Sequence, residues 1–152
     1  MRDLGARLAA YLTAGDLVVL SGELGAGKTT LVQGLATGLG VTGPVTSPTF
    51  VLARTHHPAR PGGPPLVHVD AYRLGSLAEV EDLDLDATLA EAVTVVEWGA
   101  GKVEGLSADR LEVEIHRPTG GDAGETRWVR WRGVGPRWAA GVPDPGQLAA
   151  RG

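Results

Sequence analysis

Short apolar runs and apolar positions at helical spacing alternate along the chain. Leucine, valine and alanine recur every three or four residues over Leu4–Leu12 and Leu31–Leu39, which predicts two helices, the first capped by Asp3. Gly15 and Gly40 stand where these helices are expected to end. Three runs have the length of strands buried on both faces: Leu17–Leu20, Leu66–Asp70 and Thr94–Glu97. The pattern predicts an α/β domain with a core of parallel strands.

The rest of the chain adds strands of a different kind. Leu111–His116 and Thr126–Arg132 flank a glycine-rich turn, and we expect them to pair as an antiparallel C-terminal hairpin. Phe50–Thr55 also has the composition of a strand, and Pro58–Pro65 follows it as the predicted mobile tip of a hairpin. Ser76–Glu79 has the form of a capping box at the start of an acidic helix. The sheet is therefore predicted to be mixed.

The segment Gly22–Thr29 fits G-x-x-x-x-G-K-[ST], the pattern of a phosphate-binding P-loop. Its glycines allow successive backbone N–H groups to turn inward around an anion. Lys28 can reach the terminal phosphates of a nucleotide, and the Thr29 hydroxyl is placed for Mg²⁺. The motif lies between a predicted strand and a predicted helix, whose N-terminus favours phosphate. The sequence therefore predicts a nucleotide site in a P-loop NTPase-like, three-layer domain.

Two carboxylates follow apolar strands. Asp70 has the Walker B arrangement, which holds Mg²⁺ directly or through water, and Glu97 ends its strand in the same way. Because ligands bind at the carboxyl ends of parallel strands, we expect Lys28, Asp70 and Glu97 to meet at one edge of the sheet. ATP hydrolysis needs a metal that bridges the phosphates and a group that orients water, and two carboxylates can supply both. An ordinary strand-terminal carboxylate is the alternative for each.

The composition narrows the classes of function. The chain has 152 residues, no cysteine and a formal net charge of −4. The lack of cysteine excludes disulfides and thiolate metal sites and fits a reducing compartment. The negative net charge argues against general electrostatic binding of nucleic acid. No segment has the pattern of a membrane span or a signal peptide, so we expect a cytoplasmic protein without a membrane partner.

The length fits one domain, which we assign to residues 1–138. Glycine, proline and alanine dominate residues 139–152, and alanine side chains bury little apolar surface to offset the entropy lost on ordering. We therefore expect residues 139–152 to form a poorly ordered C-terminal tail.

Three further features leave alternatives open. Ser47–Phe50 fits a nucleotide-sensing loop or a plain proline turn. His68 and the pair His56–His57 suggest a metal site only weakly, and strand or loop histidines are favoured. Arg127–Arg132 mixes cations with aromatic residues that could stack on RNA, but a hairpin strand with one buried face is favoured in an acidic protein.

Four motifs in order give the chain a resemblance to a known family. They are GELGAGKTT at Gly22–Thr30, SPTF at Ser47–Phe50, HVDAYRL at His68–Leu74 and VEW at Val96–Trp98. Over about Leu4–Arg132 the chain resembles the TsaE (YjeE) family, small bacterial ATPases of tRNA threonylcarbamoyladenosine synthesis. The resemblance implies a partner complex of TsaD and TsaB, which modifies the adenosine beside the tRNA anticodon. The resemblance further implies an ATPase that contacts tRNA indirectly, through this complex, and hydrolyses ATP to keep the complex turning over.

The resemblance also implies roles for single residues. Lys28 matches the phosphate-binding lysine, Thr29 the Mg²⁺ hydroxyl, and Thr30 the threonine near the α-phosphate. Asp70 matches the Walker B-like aspartate, and Glu97 the glutamate expected on the metal or its water. The implied ATP-binding residues are Glu23, Leu24, Gly25, Ala26, Gly27, Lys28, Thr29 and Thr30. The implied catalytic residues are Lys28, Asp70 and Glu97, and the implied metal-binding residues are Thr29, Asp70 and Glu97.

Three other functions compete with an ATPase that serves tRNA modification. A P-loop small-molecule kinase would need a lid and an arginine-rich acceptor pocket, and the segment after Gly40 supplies neither clearly. A GTPase would need the base-reading motif N-K-x-D, which the sequence lacks. A non-catalytic RNA-binding module would use the strand of arginines and tryptophans, with strongly salt-dependent binding.

Overall fold

The computed structural model of the chain describes residues 1–23, 25–41, 43–45, 53–71, 85–101, 103–117, 127–142 and 144. Within this part the strands form one six-stranded sheet, in the order β2-β3-β4-β1-β5-β6. The strands are β1 Leu17–Ser21, β2 Ala53–His56, β3 Leu66–Asp70, β4 Val93–Glu97, β5 Arg110–His116 and β6 Trp128–Val134. The predicted apolar runs thus coincide with β1, β3 and β4, which lie in the middle of the sheet.

The sheet is mixed, as predicted. Strand β1 pairs in parallel with β4 on one side and with β5 on the other, and β3 pairs in parallel with β4. Strands β2 and β6 are antiparallel to β3 and β5. The antiparallel C-terminal hairpin is confirmed, but its first strand is also a fourth parallel strand. The amphipathic pattern of β5 gave no sign of this, because alternation marks a strand with one buried face and does not identify its partners.

Helix α1 spans Arg2–Leu8 and continues into a 3₁₀ turn at Ala9–Tyr11, whereas α2 spans Lys28–Gly38. The residue before α1 is Met1, so the prediction that Asp3 caps this helix is wrong, and Asp3 lies in its first turn. The two helices pack closely at Gly34, where a Cβ would collide with the carbonyl oxygen of Arg2. A short helix α3 spans Asp86–Leu89. The predicted acidic helix after Ser76 lies outside the described residues.

The sheet separates two apolar clusters. On one face, leucines of α1 and α2 pack on inward-facing strand residues that include Val18, Leu20, Val95, Leu111 and Val113. On the other face, Leu17, Val19, Val67, Val69 and Val96 pack against Leu85, Ala92 and Val103. Helical or loop segments therefore cover both faces of the central strands, which is the layered α/β architecture expected. None of the described helices has the length and apolar character needed to cross a membrane.

The segment that follows β6 is fastened to the start of β1 by an ion pair. Arg137 Nε lies 2.9 Å from Asp16 Oδ1, and Arg137 Nη2 lies 3.0 Å from Asp16 Oδ2 and 2.7 Å from the carbonyl oxygen of Tyr11. Trp138 is buried, and Val142 packs against the core beside it. Of the tail assigned to residues 139–152, positions 143 and 145–152 lie outside the described residues.

We predict that Arg137→Ala lowers the free energy of unfolding by about 2 kcal/mol, because it removes hydrogen bonds from a carboxylate that is 5% exposed. Equilibrium unfolding in urea measures this loss. The matched control is Arg130→Ala, since Arg130 pairs with Glu114 at 2.6 Å but both side chains are more than half exposed. Its effect should stay within about 0.5 kcal/mol. Equal losses in the two variants would contradict a structural role for the buried pair.

Candidate functional site

The glycine loop connects the end of β1 to the start of α2 and bends sharply at both ends. Gly22 has φ of +149°, and a Cβ there would collide with the carbonyl oxygen of Ile115 on β5. Gly27, directly before α2, has φ of +114°. Side-chain-bearing residues rarely adopt either conformation, which explains the glycines at these two motif positions. The first N–H groups of α2 have no acceptors within the helix, so the loop leads into a site suited to an anion.

Lys28 is buried at the mouth of this loop, with only 5% of its surface exposed. Its Nζ donates hydrogen bonds to the carbonyl oxygens of Gly22, at 2.8 Å, and Glu23, at 2.9 Å. The same ammonium lies 3.9 Å from the ring centroid of Trp98, a cation–π contact. Trp98 has φ of +61°, which is unusual for a residue other than glycine. Lys28 is thereby held by the loop on one side and by the residue after β4 on the other.

The electrostatic surroundings of Lys28 connect it to the strand-end carboxylates. Burial lowers the pKa of Lys28 below its ordinary value, and the negative charges of Glu97, Asp70 and Glu23 oppose this shift. A carboxylate favours the charged form of a nearby ammonium, as expected for opposite charges. The fold therefore brings Lys28, Asp70 and Glu97 into one electrostatic group, although the sequence separates them widely.

Glu97 is the centre of the polar contacts at this edge. It ends β4, it is 3% exposed, and its register partner on β3 is Asp70. Neighbouring strands lie about 4.8 Å apart, so Asp70 and Glu97 are adjacent. Thr29 Oγ1 donates to Glu97 at 3.0 Å from Oε1 and 3.3 Å from Oε2. The hydroxyl that the motif assigns to Mg²⁺ therefore lies against the carboxylate proposed for the same ion.

His68 also contacts Glu97, and the sequence did not assign it to the site. This histidine is fully buried on β3, and its Nε2 pairs with Glu97 Oε2. Its Nδ1 has no hydrogen-bond partner in the described part of the chain. The sequence did contain a signal for His68, namely the H-x-D spacing between His68 and Asp70, because residues two apart on a strand face the same side. That spacing places His68 and Asp70 on the face of β3 from which a side chain reaches Glu97.

The opposite side of the loop contacts the hairpin of β5 and β6. Glu23 Oε1 lies 2.7 Å from His116 Nδ1, and the backbone N–H of Arg117 donates to Glu23 Oε2 at 3.4 Å. Hydrogen bonds from the backbone N–H groups of Glu23 and Arg117 lower the pKa of the Glu23 carboxyl. Arg127 Nε donates to the carbonyl oxygen of Ala26 at 3.1 Å. The loop is thus braced on both sides, by β4 and by the hairpin.

A family model described as threonylcarbamoyl adenosine biosynthesis protein TsaE matches residues 1–126. The chain belongs to the TsaE family. It is 65% identical to the tRNA threonylcarbamoyladenosine biosynthesis protein TsaE of Streptomyces coelicolor, over 91% of this chain and 94% of that protein. It is 40% identical to the Bacillus subtilis protein of the same name, over 86% of this chain and 77% of that protein.

The fold agrees with this membership. The chain is similar to the crystal structure of Bacillus subtilis YdiB, with a TM-score of 0.68 and 30% identity over 99% of this chain and 84% of that one. The resemblance to the TsaE family and the predicted α/β fold are therefore both confirmed. Family membership supports involvement in tRNA threonylcarbamoyladenosine biosynthesis.

Some predicted site positions are not brought into these contacts. Thr30 lies in the first turn of α2, whereas Leu24 and the loop Ser47–Phe50 lie outside the described residues. The described residues contain no group of three or more His, Asp or Glu side chains arranged to hold a metal ion. The roles assigned to single residues therefore remain predictions. The geometry adds His68, Arg117 and Arg127 as neighbours of the predicted site.

Proposed function

We propose that this chain binds ATP with Mg²⁺ and hydrolyses ATP as an accessory subunit for the threonylcarbamoylation of tRNA adenosine. It would act in the cytoplasm with a TsaD–TsaB-type complex and contact tRNA through that complex. The observation that carries the proposal is the convergence of Lys28, Thr29 and Glu97 at the mouth of a glycine loop. Membership of the TsaE family supports the choice of pathway.

The residues at the loop fit a nucleotide with a divalent ion. Backbone N–H groups of the loop and the Lys28 ammonium are donors for phosphate oxygens. The Thr29 hydroxyl and the carboxylates of Asp70 and Glu97 are hard oxygen ligands, the kind that Mg²⁺ prefers. When bound, Mg²⁺ would neutralise charge on the phosphates. A second supporting point is the collision that a Cβ on Gly22 would cause, which keeps the turn at the loop's start free of a side chain.

The side chains at the loop would serve two purposes, which are compensation of the phosphate charge and orientation of a water molecule. Lys28 places a positive charge at the loop, and its hydrogen bonds to Gly22 and Glu23 keep the ammonium in the site. Glu97 accepts hydrogen bonds from Thr29 and pairs with His68, so its carboxylate is held from two sides. A carboxylate fixed in this way can orient a metal-bound or attacking water without reorganising during the reaction. Asp70, next to it, is the second candidate for that task.

The experiment that tests the proposed function compares ATP turnover by the protein alone, with a TsaD–TsaB-type complex, and with that complex plus tRNA. A small domain has few means to exclude water from the phosphates. Shielding and charge supplied in trans can be worth roughly a thousandfold in rate. We expect slow turnover alone and a large acceleration by the complex. Full speed without any partner, or phosphoryl transfer to a metabolite, would favour the kinase alternative.

His68 gives a further prediction for this function. His68→Leu removes one of the two partners of Glu97 Oε2 and should lower Mg²⁺-dependent turnover about ten- to a hundredfold, the usual cost of losing a group that orients a metal ligand. His68→Gln, which retains an N–H donor, should lower Mg²⁺-dependent turnover less than His68→Leu does. Titration of turnover against Mg²⁺ measures the effect, and thermal unfolding checks the fold. Identical Mg²⁺ dependence in both variants and the wild type would refute this positioning role.

A further inference from the structure

Two arginines stand where the hairpin of β5 and β6 opens toward the glycine loop. Arg117 is the residue after β5, and Arg127 is the residue before β6. Arg127 Nε donates to the carbonyl oxygen of Ala26 at 3.1 Å, and the backbone N–H of Arg117 donates to Glu23 at 3.4 Å. These two contacts join both strand ends to the loop, through the side chain of Arg127 and through the backbone of Arg117.

The guanidinium of Arg117 lies beside Gly25 of the loop. Its Nη1 is 3.8 Å from the position that a Cβ on Gly25 would occupy. Within the part of the chain that the structure describes, this guanidinium donates no hydrogen bond and forms no ion pair. The carboxylate of Glu23 pairs with the His116 side chain and with the backbone N–H of Arg117, and not with the Arg117 guanidinium. Among the described residues, the donors of Arg117 are thus available beside a loop that is suited to phosphate.

We propose that Arg117 is a phosphate-binding residue of the candidate site, approaching the phosphates of the nucleotide from the β5 side. The inference rests on the proposed function, since it names one more residue of the same site. Glu97 approaches from β4, which borders β1 on one side, whereas Arg117 approaches from β5, which borders β1 on the other.

Charge and geometry both favour this role. The loop region already holds the negative charges of Glu97, Asp70 and Glu23, which oppose the lowering of the Lys28 pKa by burial. A polyphosphate adds more negative charge than the single ammonium of Lys28 compensates, and a bound Mg²⁺ would neutralise only part of the total beside three carboxylates. A guanidinium supplies several N–H donors in a planar fork that matches phosphate oxygens and carries its charge at any physiological pH. Arg117 therefore has the right chemistry for phosphate and lies beside Gly25 of the loop.

The test compares the affinity of wild type and Arg117→Gln for ADP and for inorganic tripolyphosphate, each with Mg²⁺, by calorimetry. Arg117→Gln should weaken both ligands about ten- to a hundredfold, the range expected for a lost hydrogen bond to a charged group. Arg130→Gln is the matched control, because Arg130 lies on the same hairpin, is 82% exposed and pairs with Glu114. Its affinities should equal those of wild type.

Each other outcome decides against the inference. Unchanged affinity in Arg117→Gln would refute it, and so would an equal loss in Arg130→Gln, which would indicate a general effect of surface charge. A loss for ADP without a loss for tripolyphosphate would place Arg117 on the nucleoside rather than on the phosphates, and would also overturn it. If the wild type bound neither ligand, the proposed function would fail first, and this inference would fail with it.

Discussion

Glu97→Gln should slow ATP hydrolysis in the presence of the partner complex by about a hundredfold or more. The substitution keeps the shape of the side chain and removes its charge. Thr29 can still donate to the remaining carbonyl oxygen, so the contact that orients the side chain is retained in part. What is lost is an anionic oxygen for Mg²⁺ or for the attacking water. Affinity for ADP should change much less than turnover, because the glycine loop and Lys28 hold the phosphates.

Turnover and ADP affinity measured on the same preparations separate these two effects. Asp70→Asn is the companion variant and should also fail in hydrolysis, since Asp70 and Glu97 are register neighbours at the same strand ends. Glu114→Gln is the control, because Glu114 is a half-exposed glutamate on β5 that pairs with Arg130. If Glu97→Gln and Asp70→Asn both hydrolysed ATP at the wild-type rate, the strand-end carboxylates would be structural and the proposed site would be wrong.

The parts of this fold that were predicted from the sequence are those that local patterns determine. Strands β1, β3 and β4 are buried on both faces, so each is a mostly apolar run that stands out from its neighbours. The glycine loop is equally local, because its backbone conformation restricts the residue type at positions such as Gly22. The meeting of Asp70 with Glu97 followed from one further rule, that parallel strands present their carboxyl ends at one edge.

The parts that the sequence did not predict depend on contacts between distant segments. The parallel pairing of β5 with β1 joins residues such as Val18 and Leu111, and no local pattern records it. His68 reaches Glu97 because β3 and β4 are adjacent in the sheet, which only the strand order shows. Arg127 was predicted to belong to a hairpin strand with one buried face, and no local pattern indicated that its Nε would reach the carbonyl oxygen of Ala26, 101 residues earlier in the chain.

Lys28→Ala should have the largest effect of any single substitution and abolish measurable ATP turnover. Lys28 is the one cation that the motif itself fixes at the phosphates, and without it their charge develops beside Glu97, Asp70 and Glu23 with less compensation. Removing a preorganised group of this kind costs roughly a hundredfold or more in rate. The measurement is ATP turnover with the partner complex present, together with ADP affinity.

Alanine also removes the packing of the Lys28 side chain against Trp98, so a loss of turnover in this variant alone could reflect a collapsed loop. Lys28→Met resolves this, because it keeps a long unbranched side chain over the ring and removes only the charge and its donors. We expect Lys28→Met to unfold at a temperature close to that of wild type and still to lose turnover as completely as Lys28→Ala. Both variants leave the carbonyl oxygens of Gly22 and Glu23 without the Lys28 donor, so their shared loss isolates the ammonium. Hydrolysis at the wild-type rate in Lys28→Met would show that the charge is dispensable and would remove the basis of the P-loop assignment.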